Sequence, residues 1–268
     1  MNIILLGHAD LASLYALNSL VAQCPEHRYT AFTSGTLASK DPMPGALVEL
    51  AKLDADMCSE FRDGDCFSDV LASAQSLSEP NSAAGLKTLS ECDPDLIVSV
   101  RYRRILRDGA IAVPRQGVLN LHSGILPDYR GVMATFWAML NAEPEIGSTL
   151  HRIVDSGVDT GPVIGISRTA MRPTESYLAN LLRLYSDGVA MLVDAIAALG
   201  CGKRLEGTAQ ATGCGSYFST PDNDATTAFA AQNLCLASGM ELDAISAQNR
   251  ETRQKSLSHE SLDSHIPK

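Results

Sequence analysis

Residues 96–122 read LIVSVRYRRILRDGAIAVPRQGVLNLH. The first five, Leu96–Val100, form a continuous apolar run of the kind expected for a strand buried on both faces. "RRILRDGAIAV" (103–113) can form a short helix, and "GVLNLH" (117–122) is a second strand candidate. Strand, crossover helix and strand make a βαβ unit, and "GVMATFWAMLNAE" (131–143) extends it with a further helix. This rhythm favours a parallel sheet.

The same alternation continues outward. Upstream, "SAAGLKTLSECDPD" (82–95) suggests a helix that stops at Pro94, since a residue before proline is pushed out of the helical region. At the start, "NIILLG" (2–7) is an apolar run ended by glycine, followed by the helical pattern "ADLASLYALNSLVAQ" (9–23) and the strand candidate "RYTAFTS" (28–34). "KDPMPG" (40–45) breaks the pattern, and a polar, weakly helical stretch with several turns runs to about Pro80. Downstream lie two short strand candidates, "STLHRIV" (148–154) and "PVIGISRTA" (162–170). "TESYLANLLRLYSDGVAMLVDAIAAL" (174–199) then makes a long amphipathic helix with Thr174 as N-cap, Glu175 in its first turn, and Gly200 and Gly202 as the stop. The expected fold is α/β: a Rossmann-like, mostly parallel sheet flanked by helices, with a short C-terminal extension. Residues 1–205 form the main domain in this reading, 206–245 an extension packing on it, and 246–268, poor in apolar residues, a disordered tail.

At 268 residues, 45% hydrophobic and 19% charged, the chain is long enough to bury one large core. Its formal net charge of −10 argues against a surface built to grip nucleic acid phosphates. No apolar run is long enough to cross a bilayer, and the N-terminus lacks the pattern of a secretory signal, so the cytoplasm is the expected compartment. The seven cysteines, Cys24, Cys58, Cys66, Cys92, Cys201, Cys214 and Cys235, are odd in number and never spaced C-x-x-C. They indicate neither a disulfide framework nor a zinc site and read as reduced thiols; no metal is expected.

Chemistry concentrates at the end of the second quoted strand. Asn120 and His122 are two positions apart, so they share one face. Open parallel sheets place ligands beside the carboxyl ends of their strands. Further along, "HRIVDSGVDTG" (151–161) sets Asp155 and Asp159 in a turn-like loop between two strand candidates, able to face the same crevice; Asp155 itself suits turn formation. A carboxamide, an imidazole and a carboxylate are the parts required when an amine attacks a carbonyl carbon. The amide donates to the developing oxyanion, the imidazole donates a hydrogen bond or proton, and the carboxylate orients it and helps take the amine's proton.

"NLHSGILPDYRG" (120–131) followed by "HRIVDSGVDTGPVI" (151–164) resembles the signature of the folate-dependent formyltransferases. The likeness extends over roughly residues 1–205 and is sharp between about Leu96 and Ile164. It implies transfer of a formyl group from 10-formyltetrahydrofolate to an amine, with Asn120, His122 and Asp159 as the catalytic trio. It also implies a folate pocket walled by Arg104, Ile105 and Leu106 on one side and by the loop of Val154, Asp155 and Val158 on the other. His151 matches a second histidine of the family, supporting the acceptor or the loop rather than transferring protons. His8 and Asp10, on the first loop, read either as acceptor contacts or, for Asp10, as a carboxylate at the positive end of a helix dipole. Two departures stand out. Gly124 occupies a position where the family usually has serine, and "GHADLAS" (7–13) lacks the Gly-Ser-Asn phosphate cradle of the purine-pathway members. Arg101, Arg103, Arg104 and Arg107 read either as a solvated face or as a site for an anionic group, the solvated face being preferred for Arg103 and Arg107. The expected acceptor is a small-molecule amine, an amino sugar nucleotide or an amino acid of the hydroxyornithine type, with no nucleic acid or membrane partner; assembly as a homo-oligomer is left open. The alternatives are a 10-formyltetrahydrofolate hydrolase and a non-catalytic folate-binding module.

Overall fold

The apolar run Ile3–Leu6 is buried on both faces because it occupies the middle of a seven-stranded sheet. The computed structural model describes residues 1–35, 42–63, 68–211, 213–238 and 241. In chain order the elements are β1 (Asn2–Gly7), α1 (Leu11–Gln23), β2 (Arg28–Thr33), α2 (Gly45–Asp63), α3 (Asp69–Ala72), β3 (Gln75–Ser76), α4 (Ala83–Glu91), β4 (Leu96–Val100), α5 (Asp108–Ile111), β5 (Val118–His122), β6 (Tyr129–Gly131), α6 (Ala134–Leu140), β7 (Glu145–Ile153), β8 (Val163–Ala170), α7 (Tyr177–Gly200), β9 (Ser216–Phe218) and α8 (Asn223–Ala231).

The sheet runs β3-β2-β1-β4-β5-β7-β8, parallel as far as β5 and antiparallel for the last two strands. The strand order reverses at β1 and β4, which is where an open α/β sheet forms a crevice at its carboxyl edge. The period-two alternation of strands sorts side chains into two cores. Ile3 and Leu5 pack with Leu17, Val98, Leu121, Phe136, Leu181 and Tyr185 beneath α1, α6 and α7. Ile4 and Leu6 pack with Leu89, Ile97, Leu106 and Val118 beneath α4 and α5. The extension is anchored by Phe229 of α8, which stacks on Phe136 at 4.4 Å.

Local competition moved three expected boundaries. The helix expected from Arg103 begins only at Asp108. Arg101 adopts a left-handed backbone (φ 57), and the Arg104 guanidinium is drawn to the Ser34 carbonyl. Asn81 brackets the segment, donating to Ile105 O and accepting from Arg107 N–H. Residues 101–107 therefore stay open beside the crevice. The long helix is capped by Ser176 rather than Thr174, its hydroxyl accepting from Ala179 N–H. Glu175 pairs instead with Arg172 and Arg183. Finally, the helix expected from Gly131 begins only at Ala134, because Tyr129–Gly131 is a strand paired with β9. Cys66 and residues 246–268 lie outside the described residues; Cys24 and Cys58 are buried, and Cys201, Cys214 and Cys235 are exposed.

The first βα turn is closed by the chain's own carboxylates. Asp10 caps α1 by accepting from Ser13 N–H, while Asp54 accepts from Leu11 N–H. Asp10 also receives Nε and Nη2 of Arg101 at 2.9 and 2.7 Å, in a pair almost wholly removed from solvent. Burial alone would raise the Asp10 pKa, but the Arg101 charge outweighs it and holds the group at about 2. Removing one partner of such a pair strands the other, so Asp10→Ala should cost about 3–5 kcal/mol in urea unfolding at neutral pH. A depressed carboxylate stabilises above its unfolded pKa and ceases to do so as pH falls through its folded one. The difference between wild type and variant should therefore shrink between pH 3.8 and about 2. An unchanged midpoint at pH 7 would contradict the pairing.

Candidate active site

The end of β5 carries the site's first two groups. Asn120 and His122 project to one side, and antiparallel pairing with β7 sets His151 directly opposite Asn120. Asn120 Nδ2 and His151 Nε2 are 3.0 Å apart. The loop after β7 returns Asp159 over this pair, so that its Oδ2 lies 3.5 Å from His122 Nδ1 and its Oδ1 3.5 Å from His151 Nε2. Asp159 reaches this place with a left-handed backbone (φ 54), a conformation aspartate tolerates better than most residues. Its loop is shaped by Asp155, whose Oδ1 accepts from Gly157 N–H at 2.7 Å.

Backbone carbonyls decide which ring nitrogens face the carboxylate. His122 Nε2 is 2.6 Å from Tyr129 O, and His151 Nδ1 is 3.0 Å from Arg152 O. A carbonyl can only accept, so both of those nitrogens carry hydrogen. His122 Nδ1 and His151 Nε2 are thereby turned to Asp159, and with the hydrogen placed on Nδ1, His151 Nε2 is left to accept from the Asn120 amide. One N–H of the Asn120 amide is used in that bond and the other is available to the cleft. Burial alone would raise the Asp159 pKa. The opposing charge of His122, with His151 alongside, and the Gly131 N–H at 2.8 Å together outweigh it and bring the group to about 2.

These groups form the floor of a cleft of about 400 Å³, within the range of small-molecule sites. Arg104, Ile105 and Leu106 line one wall; Asp155, Gly157 and Val158 line the other. Ile105 is 54% exposed, an apolar surface offered to the opening. Val154 is exposed but is not among the lining residues. His8 bonds to Ser34 and Asp10 to Arg101, and neither lines the cleft; His151 does. Arg103, read as solvated, lines the cleft with its guanidinium 3.5 Å from Asp10. Met133, Tyr217 and Thr220 also line it, none of them a site residue expected from the sequence. Tyr217 and Thr220 arrive through the β6–β9 pairing, which leaves no local signal in the sequence. Among the described residues no group of three or more His, Cys, Asp or Glu is arranged to hold a metal, and no helix is long and apolar enough to cross a membrane.

Gly124 is dictated by this packing. A Cβ there would lie 2.6 Å from Tyr129 O and Ala134 Cβ and 2.7 Å from His122 Nε2. Since the first obstacle is backbone, Gly124→Ser should destabilise by about 1–3 kcal/mol, the usual cost of overpacking. Thermal unfolding at wild-type temperature would refute that.

Fold and site together define an α/β protein with a carboxamide, two imidazoles and a carboxylate converging at the carboxyl edge of its sheet. The chain belongs to the formyl transferase family, whose sequence profile matches residues 36–196. A methionyl-tRNA formyltransferase of Desulforamulus reducens is 36% identical over 110 residues, 41% of this chain and 34% of the relative. The chain thus matches about a third of the length of that curated relative. Among solved structures, the N-formyltransferase from Helicobacter canadensis, in complex with folinic acid and dTDP-3-aminofucose, is similar with a TM-score of 0.52 at 19% identity, covering 82% of this chain and 71% of that one. Glycinamide ribonucleotide transformylase 1 from Symbiobacterium toebii gives a TM-score of 0.54 at 18% identity, covering 75% and 87%. At these identities the likeness is one of fold.

Proposed function

We propose that the protein transfers the formyl group of 10-formyltetrahydrofolate to a neutral amine of a small-molecule acceptor. The convergence of Asn120, His122 and Asp159 on one side of a ligand-sized cleft carries this reading. The open segment Arg104–Leu106, with exposed Ile105, and the facing loop Asp155–Val158 suit a flat heterocycle held between them. The donor, when bound there, supplies an electrophilic formyl carbon. The free N–H of Asn120 and a proton on His122 Nδ1 meet the oxygen on which negative charge develops. Asp159 keeps His122 in that orientation and takes up the proton the amine loses, directly or through a bridging water; as the bond between the formyl carbon and the folate nitrogen breaks, the His122 Nδ1 proton would pass to that nitrogen. His151 holds the Asn120 amide in its donating orientation.

The net charge of −10 weighs against a tRNA acceptor. The α1 N-terminus, where a phosphate could be held by backbone N–H groups, is taken by Asp10 and Asp54, which weighs against an acceptor phosphate anchored there. An amino sugar nucleotide bound elsewhere along the cleft, or an amino acid of the hydroxyornithine type, fits better. The experiment is to follow tetrahydrofolate release from 10-formyltetrahydrofolate with and without a panel of such amines. Release that depends on the amine supports transfer. Equal release without amine would indicate hydrolysis, and no release with any amine would indicate a binding module.

A further inference from the structure

The stretch that matches the family ends at residue 196, yet the catalytic trio leans on residues beyond it. β6 supplies two of the trio's fixing contacts. Tyr129 O receives Nε2–H of His122, and Gly131 N–H donates to Asp159 Oδ2. β6 is only three residues long, and its strand partner is β9, from the C-terminal extension. The pairing continues at its ends, with Val132 N–H on Phe218 O and Ser216 N–H on Asp128 O. It is clamped from the side as well: the Phe218 ring stacks on Tyr129 at 5.3 Å and on Trp137 at 5.2 Å. Trp137 Nε1 donates to Ser219 O. The approach is so close that a Cβ on Gly131 would lie 2.1 Å from Phe218 O.

The extension also reaches the third member directly. Gln210 Nε2 donates to both Asp159 O and Gly161 O at 2.8 Å, bridging the left-handed residue. Both partners are carbonyls, so the amide has one workable orientation. Neither Gln210 nor Phe218 lines the cleft.

We infer that Gln210 and Phe218 are positioning residues: the extension that carries them holds His122 and Asp159 in register through β6 and the Asp159 backbone. A merely structural role would affect stability and leave the chemistry of the folded fraction intact. Displacing catalytic groups by an ångström costs rate at saturating substrate instead.

The test compares Gln210→Glu, which keeps the side chain's size but replaces both donated hydrogen bonds with oxygen facing carbonyl, with Phe218→Ala and Phe218→Tyr. The kinetic arm rests on the formyl-transfer reading. There, Gln210→Glu and Phe218→Ala should lower kcat about 10- to 100-fold with the donor's KM unchanged, and Phe218→Tyr should restore it. The acid limb of the pH–kcat profile should move upward in the two impaired variants, because Asp159 loses its Gly131 N–H. Wild-type kcat and profile in Gln210→Glu, or a loss confined to KM, would overturn the inference; this variant decides if Phe218→Ala does not fold. A structural arm separates the two readings. If the wild type transfers formyl to no amine, the proposed function falls, and the inference is judged on the solved structure of Gln210→Glu. An Asp159 carboxylate displaced from His122 supports it, and one still 3.5 Å from His122 Nδ1 overturns it.

Discussion

Asp159→Asn is expected to lower kcat by about 10³- to 10⁴-fold, the scale on which a histidine's carboxylate partner matters when swapped for its amide. The substitution keeps the side chain's shape and an oxygen able to accept from Gly131 N–H. It removes the charge that faces His122 Nδ1 and His151 Nε2 at 3.5 Å and places an N–H₂ against one of them. The donor's KM should change little, because the charge acts on proton transfer rather than on the pocket walls. Stability gives an independent check. The Asp159 carboxyl is held at about 2, so the ionised form stabilises the fold above pH 3.8 and that contribution vanishes as pH falls toward 2. Wild type and variant should differ in unfolding midpoint at pH 6 and converge near pH 2. Near-normal turnover in the variant would remove the carboxylate from the mechanism.

Asn120→Ala is expected to cost about 10²- to 10³-fold in kcat, or about 3 kcal/mol of transition-state stabilisation, the usual effect of deleting one oxyanion donor. Its amide is held by His151 Nε2 at 3.0 Å on the neighbouring strand, so the free N–H is aimed before substrate arrives. The variant should bind the donor as the wild type does, which equilibrium titration would show. A rise in KM with kcat unchanged would make Asn120 a binding group instead.

The parts of this account that could be read from sequence are those decided by local pattern. The apolar runs at Ile3–Leu6 and Leu96–Val100 declare buried strands, and the two-residue spacing of Asn120 and His122 places both on one face. The sequence order of strands and helices was enough to indicate an α/β sheet. What sequence could not show is set by contacts far apart in the chain. Arg103–Arg107 has a helical composition, yet Asp10, Ser34 and Asn81 hold it open. His8 and Asp10 look like acceptor contacts on a first loop, but the buried Arg101 claims Asp10 and Ser34 claims His8. β6 is a strand only because residues some ninety positions later pair with it, and Tyr217 and Thr220 enter the cleft by the same route. Gly124 is an example of the converse: a departure visible in sequence whose reason, the crowding of Tyr129 O and His122, is visible only in three dimensions.

The most direct measurement is a structure of the protein with a formylated folate that cannot transfer its group. The account predicts the formyl oxygen about 2.7–3.1 Å from Asn120 Nδ2, the distance of an oxyanion-hole donor, with the carbon open to Asp159's side of the cleft. A folate bound with its formyl group away from Asn120, His122 and Asp159 would contradict it.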